Sequence, residues 1–94
     1  MDIATIRDVV RRIAPLYPVL SIDLFGSYAD GRATSSSDVD LLVNFDLKKA
    51  SLLDMSGLQL DVQDLLEKDV DVVAGPIGSR SILRIGNTVR LYEV

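Results

Sequence analysis

The sequence predicts an α/β (α+β) fold, a small mixed β-sheet with helices packed on one face. Segments of helical and strand period alternate along the chain, which is the pattern of a layered α/β domain. Short runs rich in Val, Ile and Leu at residues 19–25, 39–45 and 70–74 are each bounded by turn residues. In the second run Val39, Leu41, Val43 and Phe45 alternate with Asp38, Asp40, Leu42 and Asn44, as in a strand covered on one side only.

Each element has its own signal. Asp2 is placed to cap a first helix in which Ile3, Ile6, Val9, Val10 and Ile13 recur at helical spacing, leaving Arg7, Asp8, Arg11 and Arg12 outside. Pro15 and Pro18 end it. Val19 to Phe25 reads as the first buried strand, closed by Gly26-Ser27, with a short helical turn opening at Tyr28-Ala29. Gly31 to Ser37 is loop by composition. Residues 50–67 read as the second helix, capped by Ser51 with Asp54 three residues on. Its expected inward stripe is Leu52, Met55, Leu58, Val62 and Leu65, broadened by Leu66. Gly57 lies inside that stripe and costs about 1 kcal/mol relative to alanine, a cost that close packing would justify. Val70 to Ala74 is the third strand, and Gly75, Pro76 and Gly78 form a turn. Residues 81–89 read as a last short helix with Ile82 and Ile85 inward, interrupted by Gly86-Asn87. Leu91-Tyr92 is placed as an edge strand.

The chain has 94 residues, enough for one domain spanning 1–94. A domain of this size buries only roughly 60–65% of its unfolded surface, so its core is thin. An apolar content of 48% argues against disorder. No apolar run reaches the ~20 residues that span a bilayer, and the first residues lack the basic start of a signal peptide. The expectation is a cytoplasmic protein without membrane contact. There is no cysteine and no histidine, so thiolate zinc sites and thiol nucleophiles are excluded and any general base must be a carboxylate. A net charge of −4 disfavours direct nucleic-acid binding, which rests on clustered Lys and Arg.

The chemistry concentrates in residues 24–43. An apolar strand ends in Gly26-Ser27, a polar loop follows, and Asp38-Val39-Asp40 leads into a second apolar run. Side chains two apart on a strand share a face, so Asp38 and Asp40 project together as hard oxygen ligands suited to Mg2+. The Gly-Ser turn offers backbone N–H groups and a hydroxyl to a phosphate. Asp71, inside Val70-Asp71-Val72, supplies a third acid from a later strand. Asp69 shares its face and competes with it, and the deeper position favours Asp71. Like charges ~4 Å apart cost on the order of 4 kcal/mol at an effective dielectric of 20, so converging acids would take up a cation or a proton.

This arrangement resembles the nucleotidyltransferase superfamily of DNA polymerase beta, and within it the minimal nucleotidyltransferases (MNT). Their signature is Gly-Ser, ten intervening residues and Asp-x-Asp, here Gly26, Ser27, Asp38 and Asp40, with Asp71 at the place of the third carboxylate. The likeness runs from about Ile3 to Tyr92 and implies a polymerase-beta palm. It implies that Asp38, Asp40 and Asp71 are the catalytic and metal-binding residues, holding two Mg2+ (or Mn2+) ions, and that Gly26 and Ser27 bind the triphosphate of ATP. Members usually carry a basic residue where this chain has Asp30. Arg32 follows two residues later, either compensating at the triphosphate or standing as a solvated loop arginine.

The resemblance further implies a partner, a HEPN-domain toxin. The chain would act as the antitoxin of a type VII-like toxin–antitoxin pair, moving AMP from ATP to a tyrosine of that toxin. Two other functions compete: a non-catalytic module that neutralises its partner by binding, and a nucleotidyltransferase acting on a small molecule or RNA. The leucines that crowd several sides of the second helix, with Leu53 and Leu60 on one of them, point to contact with another chain, whether the toxin or a second copy in a homo-oligomer. The segment 82–92 is the other candidate for that contact.

Overall fold

The computed structural model describes residues 1–75 and 86–94. In chain order the elements are α1 (Ile3–Ile13), a 3-10 turn (Ala14–Leu16), β1 (Val19–Phe25), β2 (Val39–Phe45), α2 (Leu52–Leu66), β3 (Val70–Gly75) and β4 (Val89–Glu93). The strands form one sheet in the order β3-β2-β1-β4. β1 runs antiparallel to both β2 and β4, whereas β2 and β3 are parallel and joined by the α2 crossover. The mixed sheet and the helices α1 and α2 are those expected.

α1 forms for the reasons the sequence gives. Asp2 accepts the Thr5 N–H at 2.9 Å, satisfying an otherwise orphaned amide of the first turn. Ile6, Val9, Val10 and Ile13 are buried on one side. α2 starts at a reciprocal cap in which the Asp54 carboxylate accepts the Ser51 N–H at 2.8 Å. It buries Leu58, Val62 and Leu66. The expected stripe is wrong at its ends, because Leu52 is 83% and Leu65 49% exposed. Leucine occurs on several sides of α2, and tertiary packing, not periodicity, chooses which side is covered.

Gly57 is explained by Tyr17. A Cβ at position 57 would stand 2.8 Å from the Tyr17 hydroxyl, which donates to Asp61 one helical turn further on. That bond to a carboxylate, together with burial, pushes the Tyr17 hydroxyl up to about 12. The glycine lets an aromatic ring lie against the helix.

The core is one cluster between the helices and a single face of the sheet, contributed by Ile22, Leu24, Val39, Leu41, Val43, Val70 and Leu91 among others. Each edge strand receives side-chain hydrogen bonds from a helix. Arg11 of α1 donates to the Leu91 carbonyl of β4 at 3.2 Å, and Gln59 and Gln63 of α2 take up the outward backbone groups of Val70 in β3. The expected edge strand at Leu91-Tyr92 is present, extended to Val89–Glu93. The expected last helix is corrected at its end, since Val89 belongs to β4 and Gly86 to Thr88 carry no regular structure. Its earlier part, with Ile82 and Ile85, lies outside the described residues, as do Pro76 and Gly78.

Candidate active site

The site is built where β1 ends beside the start of β2. Gly26 takes a left-handed conformation (φ 76°) that turns the chain out of the sheet. A Cβ there would fall 2.2 Å from the Asp40 Oδ2. Glycine is therefore required twice, for the turn and for the close approach of the turn to the carboxylate. The turn then winds on itself: Asp30 N–H donates to the Gly26 carbonyl at 3.0 Å and Arg32 N–H to the Ser27 carbonyl at 2.9 Å. Tyr28 packs into the core and anchors the turn.

The serine-rich loop is tied down. Thr34 N–H donates to Ser37 Oγ at 2.8 Å, and Lys68 Nζ donates to the carbonyls of Ser35 and Ser37 at 2.9 and 2.8 Å. Lys68 thus staples the loop to the start of β3. Its place in the site has no counterpart in the sequence pattern, where it reads as a charged residue at a helix end.

The sheet register brings two of the three predicted acids together. Asp40 of β2 and Asp71 of β3 are direct Cα partners in the parallel ladder, one row from the strand starts, with Phe25 of β1 beside them. Asp40 is held above the usual carboxylate range, first by burial, then by the charges of Asp71 and Asp38. Asp69 and Asp71 are both exposed, and two residues before Asp71 it is the Asp69 backbone that meets β2, its carbonyl accepting the Val39 N–H at 3.0 Å. The register therefore pairs Asp71, not Asp69, with Asp40.

Asp38 stands just before β2, exposed, and lines a cleft with Ser35, Lys68 and Asp69. Among the described residues no three acids are gathered into a ready cation cage. Arg32 is 78% exposed and its guanidinium binds Asp30 at 2.9 Å. Asp30 also accepts from Asn87 at 3.2 Å. The departure at position 30 is absorbed by the turn and the residues before β4, since one Asp30 oxygen accepts from Arg32 and the other from Asn87.

The donor chemistry fits a hard divalent cation. Two carboxylates meet side by side, one of them partly desolvated and resisting ionisation, beside a third on the same strand approach. A cation would relieve their repulsion.

The family model for the nucleotidyltransferase domain matches residues 3–89. A relative from Methanocaldococcus jannaschii, named as a protein adenylyltransferase, is 38% identical over 71 residues, covering 72% of this chain and 75% of the relative. A solved structure described as a minimal nucleotidyltransferase superposes with a TM-score of 0.77 at 31% identity, covering 95% of each chain. The fold is shared as well with a complex described as a tri-AMPylated Shewanella oneidensis HEPN toxin with its MNT antitoxin, at TM-score 0.66 and 18% identity, covering 95% of this chain and 71% of the other.

Proposed function

The chain belongs to the nucleotidyltransferase domain family, and on that premise we propose that it transfers AMP from ATP to a protein hydroxyl, a tyrosine of a HEPN-domain toxin, and so acts as an antitoxin. The observation that carries this reading is the Asp40–Asp71 pair set against the Gly26 turn. A triphosphate cradled by the turn would present its α-phosphorus beside the two carboxylates. The comparisons support the acceptor class, since the Methanocaldococcus relative is named for protein adenylylation and the Shewanella toxin carries AMP.

In the proposed reaction the acceptor oxygen attacks the α-phosphorus, the bond to the β-phosphate oxygen breaks, and pyrophosphate leaves. Asp40 and Asp71, paired on the sheet, would hold the divalent ions through which the triphosphate is bound. Asp38, exposed at the strand start, completes the set by turning its carboxylate inward. Bound Mg2+ or Mn2+ would neutralise the triphosphate and lower the pKa of the attacking hydroxyl. Asp71 accepts the hydroxyl proton. Ser27 and the amides of the Gly26-Ser27 turn hold the triphosphate in line, and Arg32 reaches it only by leaving Asp30. Rate acceleration would come from positioning and charge neutralisation.

The test is to incubate the protein with α-labelled ATP, Mg2+ and a candidate HEPN-domain partner. Label on a tyrosine of the partner, lost with Asp71→Asn and retained with Asp69→Asn, is the expected result. A tight complex that never acquires label would replace the enzyme with a binding module.

A further inference from the structure

Val70 sits at the outer edge of the sheet, where a strand's outward N–H and C=O ordinarily face water. Here both are taken by one helix. Gln59 Nε2 donates to the Val70 carbonyl at 2.7 Å, and Gln63 Oε1 accepts the Val70 N–H at 3.0 Å. The two glutamines are four residues apart and so stack on one face of α2. We propose that Gln59 and Gln63 are positioning residues that clamp the start of β3 and thereby hold Asp71 opposite Asp40, an inference that rests on the nucleotidyl-transfer reading for its catalytic consequence.

The argument is covalent geometry. The Val70 N–H belongs to the peptide plane shared with Asp69, and its C=O to the plane that carries the Asp71 nitrogen. Fixing both fixes the two planes that flank Val70 and sets the direction in which Asp71 leaves the backbone. On the inner side Val39 N–H binds the Asp69 carbonyl at 3.0 Å, and the Val70 side chain is buried in the core. Residues 69–71 are therefore held from three directions. The residue that follows this clamp, Asp71, is the direct partner of Asp40 in the parallel register, so the glutamine bonds act from the far edge on the point where the two acids meet. The clamp also needs one donor and one acceptor, in that order along the helix, which gives it a signature.

That signature defines the test. Gln63→Glu keeps an acceptor, whereas Gln63→Met removes it. Gln59→Glu removes the donor and sets a carboxylate against a carbonyl. Amide hydrogen exchange at Val70 and Val39, followed by NMR in the free protein, needs neither nucleotide nor partner. Gln63→Met is expected to speed Val70 exchange at least about tenfold, and Gln59→Glu to speed Val39 exchange, with the global melting temperature little changed. Gln63→Glu recovers most of the protection that Gln63→Met loses. In the transfer assay Gln63→Met and Gln59→Glu lower kcat on the order of tenfold to a hundredfold while the KM for ATP shifts less than about twofold. Exchange at Val70 that is fast in the wild type, or the same in all variants, overturns the clamp. A loss of kcat that merely follows the loss of melting temperature, equal for the two glutamate variants, reduces the glutamines to packing. A wild-type protein that transfers no AMP removes the proposed function and the catalytic consequence with it, while the exchange rates still decide whether the clamp exists.

Discussion

Along β2, Val39, Leu41, Val43 and Phe45 are buried beneath the helices, while Asp40, Leu42 and Asn44 line the uncovered face. The two sets are interleaved on a single strand, yet they face opposite physical demands. Among the described residues the covered side buries no polar or charged residue, and it carries the stability of a small domain. The open side places Asp40 against Asp71 and holds it partly desolvated, an arrangement that costs stability until a cation or proton arrives. Folding and chemistry are separated by the two-residue period of a strand.

Adjacent substitutions should therefore fail in different ways. Leu41→Ala removes a fully buried side chain and is expected to cost about 2–5 kcal/mol, read from the urea midpoint. Asp40→Asn should leave that midpoint unchanged or raised while lowering AMP transfer on the order of a hundredfold to a thousandfold. An Asp40→Asn protein as unstable as Leu41→Ala would erase the distinction between the faces.

Two glycines sharpen it. Gly26 and Gly31 have nearly the same left-handed φ, 76° and 74°. An added Cβ meets Asp40 at the first and open space at the second. Both alanine variants should lose about 1–2 kcal/mol of stability from the backbone alone. Only Gly26→Ala should also displace the Asp40 carboxylate and lose transfer well beyond that cost. Equal activities for the two variants would mean that the turn and the carboxylate do not work together.

The open face also sets a pH dependence. Folding raises the Asp40 pKa, so the folded chain binds this proton more tightly than the unfolded chain does. Its stabilising contribution is complete below the ordinary carboxylate pKa, about 4, and is lost as pH rises through the raised value. Without metal, wild type should be less stable than Asp40→Asn at neutral pH, and the gap should close on acidification or on adding Mn2+. A gap that widens as pH falls contradicts the sign.

Much of this was legible in the sequence because its signals were local. Asp2 and Ser51-Asp54 mark the helix starts, and the alternation at residues 38–45 assigns each side chain of β2 to a face. The choice between Asp69 and Asp71 was harder, since both share a face and only the register with Asp40 separates them. Lys68, Gln59 and Gln63 were invisible as site residues. Their roles depend on carbonyls and amides 7 to 33 residues away in sequence, and no periodicity encodes such bonds. The pairing of Asp30 with Arg32 and Asn87 likewise needed the folded turn.

The smallest expected effect on stability falls on the outer side of α2. α1 is apolar on one side only, with Ile6, Val9, Val10 and Ile13 inward and Arg11 and Arg12 exposed. α2 buries Leu58, Val62 and Leu66 but also presents Leu53 at 83% and Leu60 at 58% exposure. These two leucines are seven residues apart, two helical turns, and so form a stripe on the side away from the core. A core role is excluded by their exposure, and an apolar stripe in water suits a partner surface. Leu53→Glu and Leu60→Glu should each change folding stability by less than about 0.5 kcal/mol. Either should weaken association with the proposed HEPN-domain partner, measured by titration calorimetry, whereas Leu58→Glu, made in the covered core of the same helix, should unfold the chain. If both outer variants bind the partner as wild type does, the contact lies elsewhere, and the leucines of this side serve neither the core nor the complex.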